Sequence, residues 1–289
     1  MRPRFPFLLG MLALAGTIPF AAALNESLKV PKTVEAGKVF SIATNAGDKG
    51  VLYVVGLGDV IRREVQPGEN ILLEPGDIHN AGHYIVLLVT NSLVEHAEFD
   101  VVASARPASL SFLAKPSRLP VDIQGGISGV VYVFDAFRNL ILQPTPVSFQ
   151  LAGASAETTS AQNVVAWMKV NSAPKAGTTQ LQASAGGVTE IRMVQQVAGE
   201  ACGLRMTAHP SGQRLLLETD PVRDCRGNAL PDGTVVTFTA TAHGRPVATV
   251  DVPLKRDVAK TEIPVYSGAV ISVATGVVMG NEVRLGGGK

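Results

Sequence analysis

One pattern occurs twice in this chain at a single fixed offset. Val133, Asp135, Asn139, Val147 and Phe149 are followed 89 residues later by Val222, Asp224, Asn228, Val236 and Phe238. The pattern is V-x-D-x3-N-x7-V-[ST]-F with no gap in either copy. A repeat on this scale means that one folding unit is used more than once, and its length sets the unit size. The chain has 289 residues, and beyond its first 23 the remainder is almost three times the offset. Three units of about 90 residues are therefore expected, each within the ordinary size range of a single domain.

The local signals are those of strands. Val51 to Val55, Tyr84 to Val89, Val130 to Phe134, Val235 to Thr239 and Ala269 to Thr275 are short runs rich in β-branched and aromatic residues. Turn signals separate such runs: Ala36-Gly37, Gly47-Asp48, Pro67-Gly68, Pro75-Gly76, Ala176-Gly177, Gly186-Gly187 and Pro231-Asp232-Gly233. No helical period is sustained after the N-terminal segment, so the chain reads as all-β. Alternation puts Val236 and Phe238 on one face of their strand, and Thr237 and Thr239 on the other. Short small-residue stretches near Ala103–Pro107 and Ala198–Glu200 mark the joins, giving units at 24–104, 105–199 and 200–289. Joins this short imply a semi-rigid rod.

Residues 1–23 read as a secretory signal peptide. Arg2 and Arg4 precede an apolar stretch from Phe5 to Phe20, and Ala21-Ala22-Ala23 supplies the small residues of a cleavage site. The alternative is an uncleaved anchor, but the stretch falls short of the ~20 apolar residues of a span. No membrane span is expected after cleavage. A secreted, periplasmic or cell-surface location follows.

The second copy carries a family likeness. Asp224-x-x-Gly227-Asn228-x-x-Pro231-x-Gly233-x-x-Val236-Thr237-Phe238 resembles the D-x-x-G-N-P-V-P-G-V-x-V-T-F signature of bacterial immunoglobulin-like domains of the invasin/intimin type. The earlier copy keeps Asp135, Asn139, Val147 and Phe149 but has Arg138 in place of the glycine. The resemblance covers about residues 107–289. It implies three tandem immunoglobulin-like β-sandwich domains after an N-terminal signal peptide, the first divergent, and a stalk or adhesive role. In the first unit, Asp77 followed by Ala81-Gly82-His83-Tyr84 resembles the approach to a tyrosine corner, in which the Tyr84 hydroxyl bonds back to the loop backbone.

Candidate chemistry is sparse. There is no G-x-S-x-G elbow, P-loop or H-E-x-x-H helix. Asp77, His79 and His83, with His96 further on, form a polar cluster that could be imagined as a metal site, but nothing forces them to converge, and a structural or solvated role is favoured. No metal or cofactor is expected. Trp167, the only tryptophan, has Val164, Val165 and Met168 around it and is expected in the core. The only two cysteines, Cys202 and Cys225, share the third unit. A first strand from Cys202 to Thr207, a turn at Pro210-Ser211-Gly212 and a return through Leu215 to Glu218 would bring them to one end as a disulfide. Two free buried thiols are the alternative.

Lys and Arg total 25 against 24 Asp and Glu, and this balance argues against a nucleic-acid binder, which would show a basic stripe. The reading is a non-enzymatic, exported structural, adhesive or binding module, with an envelope or extracellular protein or polysaccharide as partner. The alternative is an accessory or substrate-binding subunit of an extracellular enzyme system, with the first unit as its active part.

Overall fold

The computed structural model describes residues 28–45, 47–162 and 164–285. The expected signal peptide and its cleavage after Ala23 lie outside them. Among the described residues no helix is long and apolar enough to cross a membrane.

The chain begins with β1 (Leu28–Lys29), β2 (Thr33–Glu35), β3 (Phe40–Thr44), β4 (Gly50–Gly56), β5 (Asp59–Val65), β6 (Asn70–Leu73), β7 (Gly82–Thr90) and β8 (Val94–Val102). These strands make two sheets, β1-β3-β6 and β2-β8-β7-β4-β5. Ile42 and Leu73 from the first and Leu52, Tyr84, Leu88 and Phe99 from the second meet in one core.

Next come β9 (Ser109–Lys115), β10 (Arg118–Pro120), β11 (Ile127–Phe134), β12 (Thr145–Leu151), β13 (Glu157–Ala161), β14 (Val165–Val170), β15 (Gly177–Ala185) and β16 (Val188–Val197). Their sheets are β14-β11-β9 and β10-β16-β15-β12-β13, closed over a second core. The last stretch forms β17 (Met206–Ser211), β18 (Arg214–Thr219), β19 (Val235–Ala242), β20 (Arg245–Pro253), β21 (Lys260–Pro264), β22 (Val270–Thr275) and β23 (Val278–Arg284). Here β17-β18-β21 faces β20-β19-β22-β23 across a third core.

The first two sandwiches share one path. Their opening strand pairs antiparallel inside the smaller sheet, β1 with β3 and β9 with β11. The chain then crosses, and a short strand runs parallel to the last strand of the other sheet, β2 with β8 and β10 with β16. Both crossings fall at a proline, Pro31 and Pro116. Proline has no N–H for the ladder, which weakens pairing in the first sheet at that point. The third sandwich has no such parallel strand among the described residues. Instead Asn281 of β23 reaches β17, where its Oδ1 accepts from the Met206 N–H at 2.7 Å and its Nδ2 donates to the Met206 carbonyl at 3.0 Å.

Pleat alternation decides what is buried. On β12, Val147 and Phe149 are inside; on β19, Val236 and Phe238 are inside. Tyr84 stacks on Phe99 with ring centroids 5.4 Å apart, and its hydroxyl donates to the Asn80 carbonyl at 2.9 Å and to Asp59 Oδ2 at 3.1 Å.

Two expectations need correction. Trp167 is not in the core but 53% exposed. On β14 the inward positions are Ala166, Met168 and Val170, so Trp167 falls on the outer face. The first strand of the third sandwich starts at Met206, not Cys202, and runs through Pro210 and Ser211, which belong to the ladder with β18 and not to a turn.

Candidate functional site

The repeated motif lies at the joins between sandwiches. Asp135 follows β11 directly and is 1% exposed. Its Oδ1 accepts from the Phe137 and Asn139 N–H groups at 2.9 and 2.8 Å, which curls Asp135 to Asn139 into a tight turn. Its Oδ2 accepts from the Ser104 N–H in the join and from Asn139 Nδ2, both at 3.0 Å. Asn139 then reaches back into the preceding sandwich. Its Nδ2 donates to the His79 carbonyl at 2.7 Å, and its Oδ1 accepts from the Ala81 N–H at 2.8 Å.

The second join is built in the same way. Asp224 Oδ1 accepts from the Arg226 and Asn228 N–H groups at 2.9 and 2.8 Å. Its Oδ2 accepts from the Gly199 N–H at 3.0 Å and from Asn228 Nδ2 at 2.9 Å. Asn228 Nδ2 donates to the Pro174 carbonyl at 3.1 Å, and Asn228 Oδ1 accepts from the Ala176 N–H at 2.9 Å. In both joins, then, aspartate holds the turn and the join, while asparagine grips the sandwich before. Burial works to raise the Asp224 carboxyl pKa. The hydrogen bonds from Asn228 and from the Gly199 and Arg226 N–H groups outweigh it, and the carboxyl lies below its ordinary value.

The turn requires a left-handed residue just before the asparagine. Gly227 has φ +82° and Arg138 has φ +68°. The departure from the motif at Arg138 therefore leaves the backbone shape unchanged and places a non-glycine residue in the disfavoured region. Each join has its own reinforcement. The Phe137 ring fills the space a side chain would need at Gly37 and lies 5.9 Å from the His79 ring. Arg226 forms an ion pair with Asp122 of the sandwich before it.

Cys202 and Cys225 are joined, with Cα atoms 4.6 Å apart. The Cys202 N–H donates to the Arg223 carbonyl at 2.9 Å, and Ala201 bridges to Asp224. The disulfide thus ties the second join to the turn carrying Asp224.

Asp77, His79 and His83 have separate partners. Asp77 Oδ2 accepts from Arg63 Nη2 at 3.0 Å and from the Glu74 N–H at 2.9 Å. His79 contributes its carbonyl to the first clasp. His83 Nδ1 lies 3.0 Å from Asp100 Oδ1 and its Nε2 lies 3.4 Å from Glu98 Oε2. The hydrogen bond with Asp100 is the main reason its pKa is raised. Among the described residues no group of three such side chains is arranged to hold a metal. His83, Asp100, Asn139 and Leu142 line an open cleft of about 610 Å³ beside the first clasp.

The clasp partners escaped the sequence reading. Ser104 and Gly199, His79 and Pro174, and Ala81 and Ala176 are each 95 residues apart. The one visible trace is Ala81-Gly82 against Ala176-Gly177, since the other groups are backbone atoms.

The fold and its joins define a chain of immunoglobulin-like β-sandwiches. Invasin, described as a bacterial integrin-binding protein, has a similar fold: TM-score 0.51 and 13% identity over 89% of this chain. This chain spans 58% of the length of that invasin chain. InvD of Yersinia pseudotuberculosis aligns at TM-score 0.49 and 11% identity, over 89% of this chain and 96% of its own. No protein-family model matches the sequence, and no curated protein matches it at a significant level.

Proposed function

We propose that the protein is an exported, non-enzymatic adhesive or binding module, a stiff rod of three sandwiches with joins near 104 and 199. The observation that carries this reading is the clasp, made twice with the same six hydrogen bonds in the same roles. Each clasp ties a buried carboxylate, a join and the preceding sandwich together. A flexible string of beads has no use for such a device, whereas a spacer or presenter of a binding surface does. The Cys202–Cys225 bridge supports an oxidising location, in the periplasm, on the cell surface or outside the cell.

Small-angle X-ray scattering of residues 24–289 tests the rod. The wild type is expected to give a narrow, elongated distance distribution. The Asn139→Ala/Asn228→Ala double variant, with its sandwiches still folded by circular dichroism, is expected to give a broader one with a shorter mean. Indistinguishable curves would overturn the reading.

The cleft beside His83 favours a second reading, a binding subunit of an extracellular enzyme system. Under that reading Leu142→Glu abolishes capture of an envelope partner; under the first, capture survives the change.

A further inference from the structure

The outer face of β14-β11-β9 does not look like a spare surface. Opposed residues in the ladders share a side, so Leu113, Val130 and Trp167 form one row across the three strands. Tyr132 stands in the next row, diagonal to Trp167 and roughly 7–8 Å away. On the other side of the Trp167 row, Lys115 and Lys169 flank Ser128. Trp167 is 53% exposed, Leu113 52% and Tyr132 41%. None of the three rows contains an acidic residue.

The corresponding sheet of the third sandwich, β17-β18-β21, has a different surface. Its outward rows carry Glu218 beside Lys260, and His209 and Leu216 beside Glu262. That is the mixed, charged face expected of a surface that only meets water. The chain has one tryptophan and four tyrosines, and the second sandwich exposes the tryptophan and one tyrosine on a single flat patch. A contiguous exposed apolar patch of this kind marks a contact surface.

We propose that this face binds a polysaccharide of carboxylated sugars. Pyranose rings present flat C–H faces that lie on aromatic side chains, and the Trp167 and Tyr132 rings offer two. The row from Leu113 to Trp167 spans about 10 Å at the usual interstrand spacing, room for a short stretch of such a chain. The two lysines, with no acid near them on the face, attract the sugar carboxylates. Lys169 passes close beside Gly125, where a side chain would come within 3.3 Å of the lysine Cδ. Ser128 and Ser111 add hydroxyls for the sugar hydroxyls. A nucleic acid would demand a longer basic track than two lysines provide. The proposal names a ligand for the binding module proposed above and rests on that reading for its setting.

Because Trp167 is the only tryptophan, its fluorescence reports on this face alone. Titrate residues 24–289 with polygalacturonate and with polysialate, which distinguish uronate from sialate sources. Dextran serves as an uncharged sugar control and polyglutamate as a charged control without sugar. The expected result is a saturable change in emission with at least one of the acidic polysaccharides and none with either control, weakened by added salt. By calorimetry, Trp167→Ala and Lys115→Ala/Lys169→Ala are each expected to lower affinity about tenfold. Both variants change exposed side chains, and an unchanged melting temperature checks their fold. Silence with both polysaccharides overturns the proposal. So does an equal response to polyglutamate, which would indicate an acidic protein, or full binding by Trp167→Ala. A chain that scatters as a rod yet ignores both polymers refutes this proposal and leaves the rod standing.

Discussion

Replacing Asp224 by asparagine tests the clasp with almost no change in shape. The carboxylate accepts four hydrogen bonds, two on each oxygen. An asparagine can keep the Oδ1 pair, from Arg226 and Asn228. Its own NH2 group then faces two other donors, the Gly199 N–H and Asn228 Nδ2. Two bonds are lost, and donors confront donors at a site only 6% exposed. Each unsatisfied group costs about 1–3 kcal/mol, and Asn228 Nδ2, which keeps its bond to the Pro174 carbonyl, falls at the low end, so the third sandwich should lose about 2–4 kcal/mol. For a unit of this size that is a fall in melting temperature on the order of 10–20 °C. The assay is thermal and urea unfolding with the disulfide intact. The pH dependence gives an internal control. The native Asp224 carboxyl lies below its ordinary value, so its contribution is fully present above the unfolded carboxylate pKa of about 3.9 and is lost as pH falls through the lower native value. Once protonated, the wild type resembles the variant, and the gap between them should close in acid. A loss under ~1 kcal/mol at pH 7, or a gap that stays constant down to acid pH, would refute the reasoning.

Other outcomes follow from the same geometry. Arg138→Gly removes a left-handed non-glycine residue and should stabilise the second sandwich by up to about 1 kcal/mol in urea unfolding, while Gly227→Ala should cost the third about the same. Phe149→Ala and Phe238→Ala each empty a core position and should cost about 3–5 kcal/mol, read from the urea midpoint at constant slope; losses under ~1 kcal/mol at both would contradict their packing. Thiol counting on the denatured, unreduced protein should find no free cysteine, and a Cys202→Ser/Cys225→Ser variant should lose roughly 3 kcal/mol from the third sandwich.

Strands were legible in the sequence because their signals are local. Alternation sends Val236 and Phe238 inward on β19 whatever else the chain does, and glycine and proline punctuate the turns. The repeat was legible too, since Asp135 and Asp224 bond mostly within their own five-residue turns. The purpose of the motif was not legible. The His79 and Pro174 carbonyls and the Ser104 and Gly199 N–H groups are backbone atoms, identical in kind at every residue, so no pattern of side chains announces them. Only packing one sandwich on the next brings them to the asparagine and aspartate. The disulfide was expected from an up-and-back strand path, and the β17-β18 hairpin follows that path with its first strand shifted to Met206; the two cysteines lie beyond its open end, where Ala201 bridges to Asp224. Trp167 marks the same boundary most sharply. Its apolar neighbours in the sequence suggested burial, but on a pleated strand a shift of one residue exchanges the faces. The tertiary pairing of β14 with β11 places Ala166, Met168 and Val170 inside and leaves the tryptophan on the outer face, beside Val130 and within reach of Tyr132.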